Sequence, residues 1–197
     1  MIKLAVLGST RGTHLQTLID AIESRRLQAS IQIVLSNKSH ALILDKAKAQ
    51  GLNYQFLDPK DWTKQAYDQQ IHFLLKKYAV DLVVLVGYMR ILSVEFVSCW
   101  QNKIINVHPS LLPAFAGKMD KSVHQAVLES GLKETGCTIH YVTEHVDAGP
   151  ILLQKTCPVL AADNADLLKS RVQQLEGEAL IEVIDGLAAS MQYRKLV

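Results

Sequence analysis

In "INVHPSLLPAFAG", residues 105–117, Asn106 and His108 stand two apart at the end of an apolar run, and "HVDAGP", residues 145–150, presents Asp147 in a turn. An amide, an imidazole and a carboxylate that converge beyond a sheet can polarise a carbonyl, stabilise the oxyanion formed on attack and move a proton. Taken alone, a strand-end histidine is more often a hydrogen-bonded structural residue, and Asp-Ala-Gly-Pro is ordinary turn chemistry. It is the combination that points to a reaction at a carbonyl. No Ser or Cys sits in a nucleophile elbow, which disfavours a covalent acyl intermediate.

Two further stretches suit ligands. "GSTRGTHLQ", residues 8–16, is a glycine-containing turn ahead of a helical segment, where free backbone N–H groups and the positive end of the helix dipole suit a phosphate. Its Gly8-x-x-x-Gly12 spacing is neither the G-x-G-x-x-G of a dinucleotide fold nor a Walker loop with its lysine. The second strand ends in "SNK", without the acid that would hold the ribose of NAD. A phosphate monoester therefore fits better than a dinucleotide, and a tight turn with no ligand has the same composition. "GYMRILS", residues 87–93, follows the fourth apolar run, where Met89, Ile91 and Leu92 give either an apolar wall or core, and Arg90 either a ligand contact or a solvated charge. His40, His72 and His145 have the setting of surface or helix-face residues.

The elements that must position these groups follow a simple alternation. "IKLAVLG", "IQIVLS", "NYQFLD", "VDLVVLVG" and "KIINVH" are strands, and the unbroken apolar character of the last two fits strands of a parallel sheet covered on both faces. Between them lie amphipathic helices. Leu15, Leu18, Ile19 and Ile22 mark the first, "ALILDKAKAQG" closed by Gly51 the second, and Tyr67, Ile71, Leu74, Leu75 and Tyr78 the third. Near residue 135 the pattern changes. "GCTIHYV" and "PILLQKTCPV" alternate around the turn-rich "TEHVDAG", which predicts a hairpin-like excursion. Leu168, Val172, Leu175, Ala179 and Val183 then predict a long final helix, N-capped by Asp163 or Asn164. The fold class is α/β: a Rossmann-like, largely parallel sheet flanked by helices, with a mixed C-terminal part, in one domain over residues 1–197.

Composition narrows the class of function. Lys plus Arg number 21 against 19 for Asp plus Glu, a net charge of +2 with scattered basic residues, so neither nucleic acid nor a membrane surface is the expected partner. The 49% apolar content fills a full-sized core. No stretch approaches the ~20 apolar residues of a membrane helix, and the N-terminal run is too short for a signal peptide, so a cytoplasmic protein is expected. Cys99, Cys137 and Cys157 are far apart and in no C-x-x-C pair, which predicts buried free thiols and no metal site.

"INVHPSLLPAFAG" together with "GCTIHYVTEHVDAGPILLQ" resembles the folate-dependent formyltransferases, over nearly the whole chain from "GSTRGTHLQ" to "RVQQLEGEAL". The resemblance implies formyl transfer from 10-formyltetrahydrofolate, as co-substrate and with no metal, to the glycyl amine of glycinamide ribonucleotide in purine biosynthesis. It implies direct attack through a tetrahedral intermediate, with small-molecule substrates as partners of a monomer or homodimer. By that likeness Asn106, His108 and Asp147 are the catalytic trio, with His108 protonated beside Asp147. Gly12, Thr13 and His14 hold the phosphate through backbone N–H groups, and Glu176 binds the ribose hydroxyls. Leu85, Met89, Arg90, Ile91, Leu92, Phe96, Val97, Ile104 and Val142 form the folate pocket, while Thr138 and His140 support His108. Three departures from the family pattern stand out: His14 in place of a small polar residue, Gly177 where a histidine is frequent, and "GKMDKSVH", which predicts a longer loop over 117–124. Two alternatives remain open. A formyltetrahydrofolate hydrolase uses the same trio with water as acceptor, though that family carries an N-terminal regulatory domain and here the catalytic residues' domain begins at residue 1. A non-catalytic phosphosugar- or folate-binding module needs no such trio.

Overall fold

Residues 1–118 and 121–194 are described by the computed structural model. Strands and helices alternate as β1 (Ile2–Leu7), α1 (Thr13–Glu23), β2 (Ala29–Ser36), α2 (Leu42–Ala49), β3 (Tyr54–Phe56), α3 (Lys64–Lys77), β4 (Leu82–Leu85), α4 (Val94–Cys99) and β5 (Ile104–His108). The chain then forms α5 (Lys121–Ser130), β6 (Glu134–Tyr141), β7 (Ile151–Pro158) and α6 (Ala165–Arg194). The strands make one sheet in the order β3-β2-β1-β4-β5-β6-β7, parallel through β5 and antiparallel at the β5–β6 and β6–β7 pairings. β1 lies between β2 and β4, so the loops after β1 and β4 diverge and leave a crevice at the carboxyl edge.

Strand parity distributes the core. Leu4 and Val6, Leu82 and Val84, and Ile105 and Val107 bury themselves against α1, α2, α5 and α6. Ala5 and Leu7, Val83 and Leu85, and Ile104 face α3 and α4. Because successive side chains point to opposite faces, Asn106 and His108 share the face of Ile104. The β5–β6 register sets His140 opposite Asn106 and Thr138 opposite His108. Two strands thus supply a polar group of four side chains at the end of an otherwise apolar surface.

Several expectations need correction. α4 and α5 carry too few periodic apolar positions to have been anticipated, and α5 occupies 121–130, so Lys121–His124 are helical and not part of a loop; Met119 and Asp120 lie outside the described residues. Cys99 is exposed at the end of α4, whereas Cys137 and Cys157 are buried as expected, and burial pushes the Cys137 thiol up to about 12. Asn164 caps α6 by accepting the Leu167 N–H at 2.9 Å, while Asp163 accepts both guanidinium nitrogens of Arg171, at 2.6 and 2.8 Å. No helix among the described residues is long and apolar enough to cross a membrane.

Candidate active site

A cavity of about 810 Å³ opens at the carboxyl edge, lined by the loops after β1 and β4, the end of β5, the β6–β7 turn and one side of α6. Asn106, His108, His140 and Asp147 meet on its floor. His108 Nδ1 lies 3.3 Å from Asp147 Oδ2, and His140 Nε2 lies 3.6 Å from Asp147 Oδ1. Asn106 Nδ2 is 3.1 Å from His140 Nε2, and His140 Nδ1 is 2.9 Å from the Tyr141 carbonyl oxygen. A carbonyl oxygen only accepts, so His140 donates through Nδ1, and its Nε2 faces the Asn106 amide and Asp147 Oδ1 together. The second amide hydrogen of Asn106 is left for the cavity.

Asp147 reaches this position through local backbone geometry. It adopts φ +53°, a left-handed conformation that Asp tolerates, and its Oδ2 accepts the Gly117 N–H at 2.8 Å. Two residues on, a Cβ at Gly149 would fall 1.8 Å from the Tyr141 carbonyl oxygen, so the turn closes against β6 only with glycine there. Burial pushes the Asp147 carboxyl up, but His140, the Gly117 N–H and His108 together hold it below the usual carboxylate range.

His108 departs from expectation. Burial disfavours its charged form more than Asp147 favours it, and His140 adds to the effect, so its pKa lies below that of free imidazole. With Nδ1 turned to the carboxylate, the proton of the neutral ring belongs there, and Nε2, buried and without a hydrogen-bond partner among the described residues, carries the lone pair. Such a ring accepts a proton instead of supplying one.

The remaining candidates divide into those on the wall and those behind it. Leu85, Met89, Arg90, Ile91, Leu92 and Val142 line the cavity, and the Arg90 guanidinium lies 4.3 Å over the Tyr67 ring. Phe96, Val97 and Ile104 do not; they are buried with Trp100 in the α3–α4 core beneath it. Thr138 does not reach His108. Its hydroxyl donates to the Ser110 carbonyl at 2.7 Å and accepts the Leu112 N–H at 3.0 Å, bracing the turn after β5. At the other end of the cavity α1 begins at Gly12, with φ +63°, no side-chain cap and no acid in its first turn, so its first N–H groups are open to an anion. Thr13 and His14 are on the wall, Gly12 just behind it, and Glu176 lies opposite, 2.8 Å from His14.

Sequence reasoning missed two features. Ser9 laces three loops together: its hydroxyl donates to Asn37 Oδ1 at 2.5 Å and accepts the Met89 N–H at 2.8 Å. The "SNK" that ends β2 thus supplies a brace where a dinucleotide fold has its acid. A polar stripe on α6, Asp166, Lys169, Ser170, Gln173 and Glu176, also lines the cavity, and its three-to-four-residue spacing was readable as one helix face.

The description "Formyl transferase" belongs to a family model that matches residues 2–184. Phosphoribosylglycinamide formyltransferase of Escherichia coli (strain K12) is 38% identical over 174 residues, covering 88% of this chain and 81% of that protein. The trifunctional purine biosynthetic protein adenosine-3 of Homo sapiens is 42% identical over 175 residues, and that of Gallus gallus 41% over 179; the chain spans only 17% and 18% of their lengths. The crystal structure of glycinamide ribonucleotide transformylase 1 from Symbiobacterium toebii superposes with a TM-score of 0.91 at 37% identity, covering 96% of this chain and 89% of that one. With the polar cluster, the crevice and the family match all on the same residues, the chain belongs to the formyl transferase family.

Proposed function

We propose that the protein transfers the formyl group of 10-formyltetrahydrofolate to the glycyl amine of glycinamide ribonucleotide. The observation that carries the reading is the position of the Asn106–His108–His140–Asp147 cluster between an apolar wall and an uncapped helix N-terminus faced by Glu176. A flat aromatic donor suits the wall formed by Leu85, Met89, Ile91, Leu92 and Val142. A phosphoribosyl acceptor suits the other end, with phosphate on the N–H groups at the start of α1 and ribose hydroxyls on Glu176.

The residues divide the chemistry as follows. Attack of the amine on the formyl carbon places negative charge on oxygen and positive charge on nitrogen. Asn106, its amide fixed by His140, donates its free hydrogen to the oxyanion. His108 Nε2 accepts the proton from the attacking amine, and the imidazolium so formed is stabilised by Asp147 and then delivers that proton to the leaving folate nitrogen. Direct transfer needs no covalent enzyme intermediate. Residues 1–197 act as one domain in this reading, as a cytoplasmic monomer or homodimer.

Formyl transfer followed with and without glycinamide ribonucleotide, in wild type and in Asp147→Asn, tests the proposal. Turnover should require the ribonucleotide and fall by ~10²-fold or more in the variant, with folate affinity little changed. Folate turnover that ignores the ribonucleotide would identify a hydrolase, and folate binding without turnover a binding module. Either result overturns the reading.

A further inference from the structure

The His14 side chain does something its backbone role does not need. The residue is 8% exposed, and its Nε2 lies 2.8 Å from Oε2 of Glu176, itself 4% exposed and 162 positions away in sequence. A carboxylate only accepts, so the imidazole donates. Its Nδ1 is buried without a hydrogen-bond partner among the described residues. A buried polar ring with half its hydrogen-bonding capacity unmet is costly, and the contact to Glu176 is the one interaction that accounts for it.

Helix packing brings the pair together. A Cβ at Gly177 would lie 2.9 Å from Thr17 Cγ2, so α1 and α6 approach closely at this crossing because residue 177 has no side chain. Thr17 is nearly one turn beyond His14, and Gly177 is the neighbour of Glu176. The crossing that glycine permits therefore sets the imidazole and the carboxylate within reach. Glu176 Oε1 has no hydrogen bond to the protein among the described residues, and Glu176 lines the cavity.

We propose that His14 is a positioning residue for ribose recognition. By holding Oε2, it fixes the Glu176 carboxylate with Oε1 presented to the acceptor's vicinal hydroxyls. The helix that offers its N-terminus to the phosphate also orients the group that reads the sugar, so both ends of the phosphoribosyl unit meet one preassembled surface. This inference rests on the acceptor assigned in the preceding section.

Steady-state kinetics with the ribonucleotide acceptor and its 2′-deoxyribo analogue test it in three variants: His14→Phe, His14→Asn and His14→Gln. Phe fills the site without a donor, Asn is too short to reach Glu176, and Gln restores an N–H donor at similar length. Wild type should prefer the ribo acceptor by about tenfold or more in kcat/KM, the scale on which a hydrogen-bonding site rejects a ligand lacking its hydroxyl. In His14→Phe and His14→Asn that preference should shrink toward unity, with the loss in the acceptor KM and not in the formyl-donor KM. His14→Gln should recover most of it. An undiminished preference in both Phe and Asn variants overturns the inference, as does a donor KM that rises in parallel or a Gln variant no better than Phe. The outcomes separate from failure of the functional reading: a wild type that turns over without acceptor refutes that reading, whereas acceptor-dependent wild type with an indifferent His14 refutes only this one. Should His14→Phe fail to fold, the Asn and Gln pair carries the comparison alone.

Discussion

At His108, two opposing effects meet on one ring, and only one of them is visible in a sequence. The carboxylate of Asp147 favours the charged imidazole, as spacing and chemistry suggested; burial and His140 disfavour it and prevail. Types and positions of the trio were legible because Asn, His and Asp recur at strand end and turn, but the degree of burial that sets the proton was not. The same limit applies to Phe96, Val97 and Ile104: apolar type does not say whether a side chain forms the wall or the layer under it, and only packing against Trp100 decides. The lowered pKa has a consequence for stability. A histidine kept neutral by the fold binds its proton more readily when unfolded, so its contribution is complete above the unfolded pKa of about 6.5 and is lost as pH falls toward the lower folded value. Asp147, with its pKa depressed, contributes above the ordinary carboxylate value and loses its part only in stronger acid. Thermal melts between pH 7.5 and 5 should therefore show wild type losing stability more steeply than His108→Gln over that range; parallel curves would mean that burial does not hold His108 neutral.

The elements most easily recognised were those with the clearest periods. Strands β1, β2, β4 and β5 are short, mostly apolar runs, and helices α1, α3 and α6 bury positions three and four apart. α4 escaped because six residues give too little period, although Ser93 caps it by accepting the Phe96 N–H at 3.3 Å. α5 escaped because only Val123 and Val127 of its sequence reach the core as fully buried apolar residues. The β6–β7 turn is where element geometry bears most directly on chemistry. Asp147 stands in the left-handed region, and Gly149 passes so close to Tyr141 that any side chain collides with backbone. Gly149→Ala must move one strand from the other, and overpacking of this kind costs typically 1–3 kcal/mol. The expected result is a lower midpoint in denaturant unfolding by about that free energy, with a fall in kcat because Asp147 moves with the turn. A variant with wild-type stability and turnover would show that the hairpin absorbs the methyl group and that the turn does not hold the carboxylate in place.

For the molecule as a whole, the alternation of strands and helices gave the α/β class, but nothing in the local pattern dictates that β4 pairs beside β1 instead of β3. That pairing is made by the long-range core, and it opens the crevice in which two ligands meet. The loop after β4 and the end of β5 supply one half of the cavity; α1 and α6, joined through His14 and Glu176, supply the other. Each half should therefore stabilise the fold through its own ligand. At about 100 times its dissociation constant a ligand adds ~2.7 kcal/mol, which for a chain of this size raises Tm by roughly 5–10 °C. Glu176→Ala removes a charge-assisted hydrogen bond worth roughly 1.5–3 kcal/mol to the acceptor. At the same ribonucleotide concentration the shift from the acceptor should drop to about 0.3–1.3 kcal/mol, while a non-reactive folate analogue should raise Tm of the variant as much as it raises that of wild type. Thermal shift with each ligand separately gives the answer: an acceptor shift that survives the substitution removes Glu176 from the acceptor site, and an equal loss of both shifts would mean that α6 supports the whole cavity and not one half of it.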